Sequence, residues 1–421
     1  MMGGISLGFV KTLFFSRFAG GSFLVLDIGT FSVKLLCVER KDKNVRIEGG
    51  VSKPYISEIY TEDGLNSDVI LSTCRKALKE LSANLKKSLP KKVILGVGGG
   101  FLHGSTSTQN YIRDNASVEI DTGEFANIIQ KVQQRIYEQI RRDFSRETAR
   151  SELEVYLINA GISDIKIDGY QIVNPMGFKG KEVTVSLFNS YASKSNIEIF
   201  EKLVVGLHLE LISMISEPYA VFNTVYEDDQ SDAIFIDMGG GVTEVTLTRK
   251  GKLEDTKAIA MGGLSFTKSI SESLKISHNE AENIKQMVSL GNVSDRVSRK
   301  INSIITKDVK FFLGALQVVL HDLSQVLILP PQIYLYGGGA TIPIVQRMLS
   351  QKRWTEKLSF FSRPKVNKLV ISKDKIDYAS SELKDILWTT PASLANFYTQ
   401  NYKDDDISKI LKRTLRLIQQ R

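Results

Sequence analysis

The stretch LVLDIGTFSVKLLCVE, residues 24–39, decides the fold of this 421-residue chain. Four apolar residues, 23–26, run into Asp27, the chain turns through Gly29 and Thr30, and a β-rich segment returns with Lys34 in it. The pattern predicts a β-hairpin, but a hairpin alone does not require an aspartate at the end of a buried strand. Because a buried carboxylate is costly unless it is paired, the stretch indicates a partner for Asp27: a metal ion, a metal-bound phosphate or a neighbouring donor.

The hairpin is repeated in the second half of the chain, as AIFIDMGGGVTEVTLTR at residues 233–249. Asp27 and Asp237 occupy the same place in the two copies, and Lys34 and Glu244 each follow seven residues later. Around both copies, strands are followed by helices, which indicates two α/β halves. A repeat of this kind predicts duplicated lobes that face one cleft.

The residues of the two hairpins suit phosphate binding. Glycines let backbone N–H groups approach anionic oxygens, because a Cβ would block them. An aspartate before each turn can hold a hydrated Mg²⁺ ion, and Lys34 can supply a point charge to a phosphate. The candidate residues of this phosphate clamp are Asp27, Gly29, Thr30, Lys34, Asp237, Gly239, Gly240, Gly241 and Thr243, with Asp27 and Asp237 holding Mg²⁺ through water.

Composition is that of an ordinary globular protein, with 42% hydrophobic and 24% charged residues. The net charge of +8 permits an acidic partner but does not identify one. Cys37 and Cys74 form neither a disulfide framework nor a CxxC pair, which favours a reducing compartment. No apolar run has the length of a spanning helix. The apolar N-terminal segment, ISLGFVKTLFFSRF at 5–18, lacks signal-peptide features, and either docks on the protein, is disordered or touches a membrane.

The order of these motifs resembles the actin and sugar-kinase ATPase superfamily. The segment YLYGGGATIPIVQRML, residues 334–349, is similar to the adenosine loop of that superfamily, with Gly337, Gly338 and Gly339 after a strand and Pro343 near the start of a helix. The resemblance implies ATP with Mg²⁺ as cofactors. It also implies a catalytic role for Asp237.

The same resemblance implies functional roles for residues of two predicted helices. In ISEPYAVFN, residues 215–223, Glu217 matches the residue that positions the attacking water; an acidic first-turn residue favoured by the helix dipole is the alternative. In SHNEAENIKQMV, residues 277–288, Glu282 and Lys285 match a nucleotide-facing helix that contacts the ribose. An i,i+3 salt bridge explains that pair equally well.

The middle of the chain resembles two bacterial families, the FtsA division proteins and the PilM type IV pilus proteins. The segments that carry this likeness are KKVILGVGGGFLHGSTS (91–107) and IDGYQIVNPMGFKGKEVTVSLF (167–188). Asn174 and Phe178 depart from the FtsA pattern, as do Met238, Val242 and Glu244 of the second hairpin. The resemblance implies an α/β, two-lobed actin-like ATPase fold with duplicated ribonuclease-H-like subdomains and a small inserted α+β domain.

The domain limits expected from this reading fall in five parts. They are an N-terminal extension (1–22), a first lobe (23–89, 181–216 and 355–400), an inserted subdomain (90–180), a second lobe (217–354, helical at about 264–328), and a linker with a C-terminal helix (401–421).

The tail DDDISKILKRTLRLIQQR, residues 404–421, predicts an amphipathic helix. At 100° per residue its apolar side chains share one face and its basic side chains the other, as in a helix that lies on anionic lipid. The alternative is a helix docked on the protein or on a partner. The candidate membrane residues are Ile407, Ile410, Leu411, Leu415, Leu417 and Ile418, with Lys409, Lys412, Arg413 and Arg416.

The expected function is therefore that of an FtsA-like, ATP-binding, filament-forming adaptor with weak ATPase activity at most. The resemblance implies that it tethers the C-terminal peptide of an FtsZ-like tubulin homologue to the inner face of the cytoplasmic membrane, as a cytoplasmic, peripheral protein. The alternatives are a PilM-like scaffold of pilus or secretion machinery and, less favoured, a small-molecule kinase. No basic, aromatic-lined surface indicates nucleic-acid binding.

Overall fold

The computed structural model describes residues 21–41, 44–57, 59–61, 64–148, 151, 154–225, 232–324, 328–372, 375–400 and 406–419. The apolar N-terminal segment lies outside the described residues. Among the described residues, no helix is long and apolar enough to cross a membrane. Cys37 and Cys74 are both buried as free thiols.

The described strands form two large sheets and one small hairpin. They are β1 (Gly21–Ile28), β2 (Ser32–Lys41), β3 (Asn44–Pro54), β4 (Tyr60–Thr61), β5 (Gly64–Leu65), β6 (Lys92–Val97), β7 (His103–Ile112), β8 (Val155–Ile167), β9 (Tyr170–Gln171), β10 (Glu182–Ser193), β11 (Glu210–Ser216), β12 (Ala233–Met238), β13 (Thr243–Arg249), β14 (Lys252–Ile259), β15 (Gln332–Tyr336), β16 (Lys365–Lys368) and β17 (Ile376–Tyr378).

The α-helices cover the faces of these sheets. They are α1 (Ser67–Leu85), α2 (Thr122–Thr148), α3 (Lys194–Gly206), α4 (Glu217–Val225), α5 (Gly263–Leu274), α6 (His278–Ser289), α7 (Asp295–Ser324), α8 (Pro343–Leu349), α9 (Thr389–Gln400) and α10 (Asp406–Gln419).

The two sheets repeat one topology, as the paired hairpins predicted. The first has the order β11-β6-β1-β2-β3-β17, and the second contains the run β16-β15-β12-β13-β14. In each, the strand that carries the aspartate pairs antiparallel with the next strand and parallel with a strand reached later in the chain. The mixed α/β fold with duplicated halves thus follows from the repeated hairpin.

Each lobe buries its sheet between helices. Helices α1 and α3 share one apolar cluster with the first sheet, and α4 and α9 share another on its opposite face. The apolar faces of α5, α6, α7 and α8 cover the second sheet. Both cores leave the carboxyl ends of β1 and β12 free to form a site at the junction of the lobes.

The inserted region adds β7, β10, β8 and β9 to the second sheet, with α2 packed on them. It joins β14 through only two paired positions, Asp255 with Ser105 and Thr256 with Gly104. Within the insert the pairing is extensive, because β10 lies between β7 and β8 over nearly its whole length. The insert is therefore a compact unit with a narrow attachment to the second lobe.

The structure shifts the expected domain limits at three strands and at helix α4, which was placed in the second lobe but packs on the first sheet with α9. Strand β6 was placed in the insert but pairs with β1 and β11 of the first sheet. Strand β10 was placed in the first lobe but pairs with β7 and β8 of the insert, and β16 pairs with β15 of the second sheet. Each of these pairings joins residues distant in sequence, which local patterns do not record.

The C-terminal helix α10 packs against the insert. Its Ile410, Leu411, Leu415 and Ile418 lie in one apolar cluster with residues of α2, β8 and β10. The exposed fraction of these four side chains is 9% or less, whereas that of Leu417 is 40%. The docked arrangement that the sequence offered as the alternative is thus the one in this structure. The side chains of Ile407, Lys412 and Arg416 lie outside those that are described.

Candidate functional site

The two aspartate hairpins have the same register. Asp27 lies directly opposite Lys34 across β1 and β2, and Asp237 lies directly opposite Glu244 across β12 and β13. The turns match as well, because the Gly29 N–H donates to Ser32 O at 3.1 Å and the Gly239 N–H donates to Val242 O at 3.0 Å. The seven-residue spacing seen in the sequence is therefore the spacing of a cross-strand pair.

The hairpins touch each other across the junction of the lobes. The Gly241 N–H donates to Thr30 Oγ1 at 2.7 Å. A Cβ on Gly240 would collide with the side chain and backbone of Phe31, so only glycine allows this approach. Residues that lie 211 positions apart in the chain thus form one continuous wall.

The first hairpin carries a buried ion pair. Lys34 Nζ lies 2.9 Å from Asp27 Oδ2, and the exposed fractions of the two side chains are 14% and 2%. Burial lowers the pKa of the Lys34 ammonium, but the charge and hydrogen bond of Asp27 outweigh it and raise that pKa, with help from Asp237 and Glu217. Lys34 is thus held in its charged form beside the acidic cluster.

The second hairpin and the start of α4 bring three carboxylates together. Glu217, Asp237 and Glu244 each offer an oxygen, and these oxygens all lie within 4.8 Å of one another. Burial raises the pKa of Asp237 to about 6 and the pKa of Glu244 to about 7, and repulsion from neighbouring carboxylates adds to both shifts. The pKa of Glu217 is raised well above its usual value, by burial first and then by Asp27 and Glu244.

Two oxygens of this acidic cluster lack a partner. Glu217 Oε1 and Glu244 Oε1 are buried, and neither makes a hydrogen bond to the described residues. Like charges directly opposite each other across a sheet are destabilising, and a buried carboxylate without a partner is costly. The cluster therefore has the hard oxygen donors, the negative charge and the free lone pairs that fit a Mg²⁺ ion.

The end of β6 and the glycine loop after it shape the wall around Glu217. A Cβ on Gly98 would collide with Glu217 Oε2, and the backbone N–H groups of Gly99 and Gly100 donate to Glu244. Sequence reasoning used this loop only for its family likeness. The structure makes it part of the acidic site.

The predicted adenosine loop lies against the second hairpin. Gly337 has a φ of +84°, and a Cβ there would collide with Asp237 Oδ1. A Cβ on Gly339 would collide with the side chain of Met238, while Gly338 lies near Leu387. Pro343 occupies the first turn of α8, as the sequence predicted. The loop's backbone is thus pressed against the carboxyl end of β12.

Glu282 and Lys285 lie beside this loop, on α6. Lys285 Nζ donates to Gly263 O at 2.8 Å and to Thr267 Oγ1 at 2.7 Å, and it pairs with Glu282 at 2.7 Å. Burial would raise the pKa of Glu282, but Lys285 and the hydrogen bonds from Thr267 and Gln286 hold it below its usual value. The i,i+3 salt bridge is present within α6. The hydrogen bonds of this pair to Gly263 and Thr267 hold α6 to the start of α5.

One predicted site residue, Thr243, points away from the acidic cluster. Two residues of the site, Glu244 and Thr390, were not predicted from the sequence as site residues. Thr243 is fully buried, and its hydroxyl donates to Met261 O at 2.7 Å. Glu244 was noted as the counterpart of Lys34 and as a departure from the family pattern, but not as a site residue. Thr390 Oγ1 of α9 donates to Asp237 Oδ2 at 3.2 Å and links the lobes. Only its position directly before Pro391, in the first turn of α9, could have drawn attention to Thr390. The candidate membrane residues lie on α10, which packs on the insert rather than at this site.

Comparisons with known proteins agree with this geometry. The family model described as "Cell division protein FtsA" matches residues 234–385. The FtsA of Streptococcus pneumoniae is 26% identical over 344 residues, which cover 77% of this chain and 72% of that protein. The FtsA of Bacillus subtilis is 24% identical over 270 residues, which cover 63% of this chain and 58% of that protein.

Two solved structures share the fold. The PilM-PilN type IV pilus biogenesis complex matches with a TM-score of 0.62 at 16% identity, covering 89% of this chain and 97% of that one. The ethanolamine utilization protein EutJ from Carboxydothermus hydrogenoformans matches with a TM-score of 0.50 at 16% identity, covering 91% and 92%. At this identity the likeness concerns the fold alone.

The sheet topology, the paired hairpins and these matches show that the chain has the actin-like ATPase fold, with an inserted subdomain. Within that class the sequence matches point to the division proteins. The chain is similar to FtsA, the bacterial cell-division protein.

Proposed function

We propose that the cleft between the two hairpins binds ATP with Mg²⁺, and that the protein is a filament-forming adaptor of bacterial cell division. The observation that carries the proposal is the acidic cluster of Glu217, Asp237 and Glu244 beside the Asp27–Lys34 pair, enclosed by glycine loops. A cluster of this charge suits a cation and the phosphate oxygens that the cation brings with it.

The cluster refines the metal ligands expected from sequence. Asp27 is committed to Lys34, whereas Glu217 Oε1 and Glu244 Oε1 are free of hydrogen bonds to described residues. Glu217, Asp237 and Glu244 would therefore hold the ion, which when bound neutralises phosphate charge. The glycine backbone at residues 239–241 would approach the phosphates, and residues 337–339 the adenosine.

Glu217 is the proposed residue that orients and deprotonates the attacking water. Its raised pKa makes its carboxylate a stronger base than an exposed glutamate. The same shift disfavours the ionised form that would act as the base, so we propose a slow ATPase. Asp237, which offers an oxygen within 4.8 Å of one of Glu217, is the second proposed catalytic carboxylate.

An equilibrium titration with Mg-ATP tests the nucleotide site. Asp237→Asn removes one charge from the cluster while keeping its shape, and we expect at least tenfold weaker binding that no longer depends on Mg²⁺. Glu356→Gln, an exposed position of the second lobe, is the matched control and should bind as the wild type does. Equal affinity of the wild type and Asp237→Asn would contradict the proposed site.

The adaptor role extends the likeness to FtsA. We propose that the protein binds the C-terminal peptide of an FtsZ-like tubulin homologue and forms filaments through its lobes. We also propose that it reaches the inner face of the cytoplasmic membrane through the apolar side of α10. Because that side is buried on the insert in this structure, membrane contact requires α10 to leave α2.

A second candidate is a scaffold like PilM, favoured by the PilM-PilN complex among the fold relatives. Fluorescence anisotropy with two labelled peptides separates the candidates, one from the C-terminus of an FtsZ-like protein and one of the PilN type. Saturable binding of the first peptide supports the division role. Binding of only the second would replace that role with the scaffold.

A further inference from the structure

A β-bulge in the insert lies next to the start of α4. Leu157 pairs with Tyr191 and Asn159 pairs with Ser190, so Ile158 is an extra residue in β8. Three successive side chains are therefore buried, with Leu157 in the insert's core and Ile158 in the core of the first lobe. Bulges re-aim side chains and are common beside functional sites. Here the bulge directs Asn159 toward the first lobe.

Asn159 holds the residue that directly precedes α4. Its Oδ1 accepts a hydrogen bond from the Ser216 N–H at 2.7 Å, and Ser190 Oγ accepts one from the Asn159 N–H at 3.1 Å. Ser216 in turn caps the helix, because its Oγ accepts from the Tyr219 N–H at 3.4 Å. Asn159, Ser190 and Ser216 are all buried, so water cannot replace these bonds.

A second contact ties the same helix turn to the insert. The Tyr219 ring stacks on Phe188 of β10 with ring centroids 4.8 Å apart. A Cβ on Gly161 of β8 would collide with the Tyr219 hydroxyl, so the helix approaches the strand where there is no side chain. The first turn of α4, which carries Glu217, is thus fixed by the insert on two sides.

We propose that Asn159 is a positioning residue for the Glu217 carboxylate, and that through it the inserted subdomain sets the geometry of the cleft. This inference rests on the proposed use of Glu217 in ATP cleavage. Ser216 immediately precedes Glu217, and the Glu217 side chain has little room, because Gly96 and Gly98 admit no Cβ beside it. A small shift of the helix start therefore moves the carboxylate against a rigid wall.

The alternative is that Asn159 is only a satisfied buried amide. The insert contains a second buried amide side chain that serves as a matched control for this alternative. Gln133 of α2 is fully buried and donates to Asn189 Oδ1 at 2.6 Å, within the insert and away from α4. Gln133→Leu removes a buried amide of the same subdomain, as Asn159→Leu does, without touching the helix that carries Glu217.

The experiment compares the wild type, Asn159→Leu, Asn159→Asp and Gln133→Leu. For each, Mg-ATP affinity, single-turnover ATP cleavage and hydrogen exchange of the peptide that spans Ser216 and α4 are measured. We expect Asn159→Leu to keep its affinity within about threefold, to cleave at least tenfold more slowly and to exchange faster at α4. Asn159→Asp keeps the acceptor oxygen for the Ser216 N–H but loses the Nδ2 donor to Met214 O, so it should cleave faster than Asn159→Leu and more slowly than the wild type. Gln133→Leu should show wild-type cleavage and α4 exchange.

Three results would overturn the inference. The first is an equal loss of rate in Asn159→Leu and Gln133→Leu, which would make Asn159 structural only. The second is unchanged α4 exchange in Asn159→Leu. The third is a wild type that binds Mg-ATP but never cleaves it, which leaves the proposed nucleotide site intact. A wild type that binds no Mg-ATP would instead refute the proposed function, while the exchange data still report whether Asn159 holds α4.

Discussion

Glu244 lies opposite Asp237 at the place where Lys34 lies opposite Asp27. The two hairpins have the same backbone, yet one holds an ion pair and the other two like charges. Because the carboxylates are buried, the second hairpin is stable only when protons or a cation compensate its charge. Lys34 neutralises the first hairpin, whereas Glu244 leaves the second hairpin with a charge that protons or a bound cation must compensate.

This residue-scale argument predicts a pH dependence. An acid whose pKa is higher in the folded than in the unfolded chain binds more protons when folded, so the free energy of unfolding falls as pH rises between the two values. For Glu244 that window runs from 4.5 to about 7. In metal-free buffer we expect the wild type to lose about 3 kcal/mol more than Glu244→Gln across it.

Urea unfolding in EDTA at pH 5 and pH 7.5 measures this difference. Glu356→Gln should follow the wild type, since its side chain is exposed. Added Mg²⁺ should stabilise the wild type at pH 7.5 and have little effect at pH 5, where the acidic cluster is protonated. Identical pH dependence in the wild type and Glu244→Gln would show that Glu244 ionises freely.

At the residue scale, the sequence motifs predicted most but not all of the residues of the candidate nucleotide site. Asp27, Lys34, Asp237 and Glu217 belong to local motifs, and the structure brings them together. Thr390 is invisible to such motifs, because it reaches Asp237 from a helix 153 residues away. Thr243 alternates with its neighbours as a strand residue should, and whether its hydroxyl meets the cleft depends on Met261 of another segment.

At the scale of elements, local sequence patterns predicted the helices well, but they did not predict which distant strands pair with each other. Residues 122–148 form one helix, α2, which is capped by Asp121, whose Oδ1 accepts from the Glu124 N–H at 2.7 Å. The long helical stretch divides into α5, α6 and α7, where Ser277 and Glu280 form a capping box. In contrast, β6, β10 and β16 belong to other parts of the sheets than the sequence predicted. The residues of a strand do not by themselves indicate with which distant strand it pairs.

Helix α10 presents one apolar face for two competing uses. Docking on α2 buries Leu415 but leaves Leu417 40% exposed, whereas a membrane surface would engage both. Leu415→Glu should therefore undock the helix and also abolish lipid binding. Leu417→Glu should leave the helix docked and weaken only lipid binding. Burial of one leucine contributes roughly 2 kcal/mol, enough to shift the docked fraction strongly.

Limited trypsin digestion reports docking, because Lys409 and Arg413 lie on this helix, and flotation with anionic liposomes reports lipid binding. We expect fast tail cleavage for Leu415→Glu and wild-type cleavage for Leu417→Glu. If Leu417→Glu binds liposomes as well as the wild type does, α10 does not lie on the membrane with the predicted face.

At the scale of the whole molecule, the connection to α10 limits where a membrane can lie. Five residues, 401–405, separate α9 from α10. Fully extended they span at most about 18 Å. Helix α9 packs on α4 and on β1 of the first sheet, so a membrane-bound α10 would hold the first lobe close to the lipid. The distance between the first lobe and the membrane would then be limited by the reach of residues 401–405.

The full-length protein and a chain cut after Tyr402 test this geometry, by co-sedimentation with anionic liposomes in Mg-ATP. We expect only the full-length protein to pellet, and the cut chain to bind an apolar dye more strongly, because removing α10 uncovers the apolar side of α2. Pelleting of both chains would assign the membrane contact to another part of the protein, with the N-terminal segment as the first candidate. If neither pellets while the cut chain still binds the dye, α10 is a structural cover of the insert and the membrane tether is refuted.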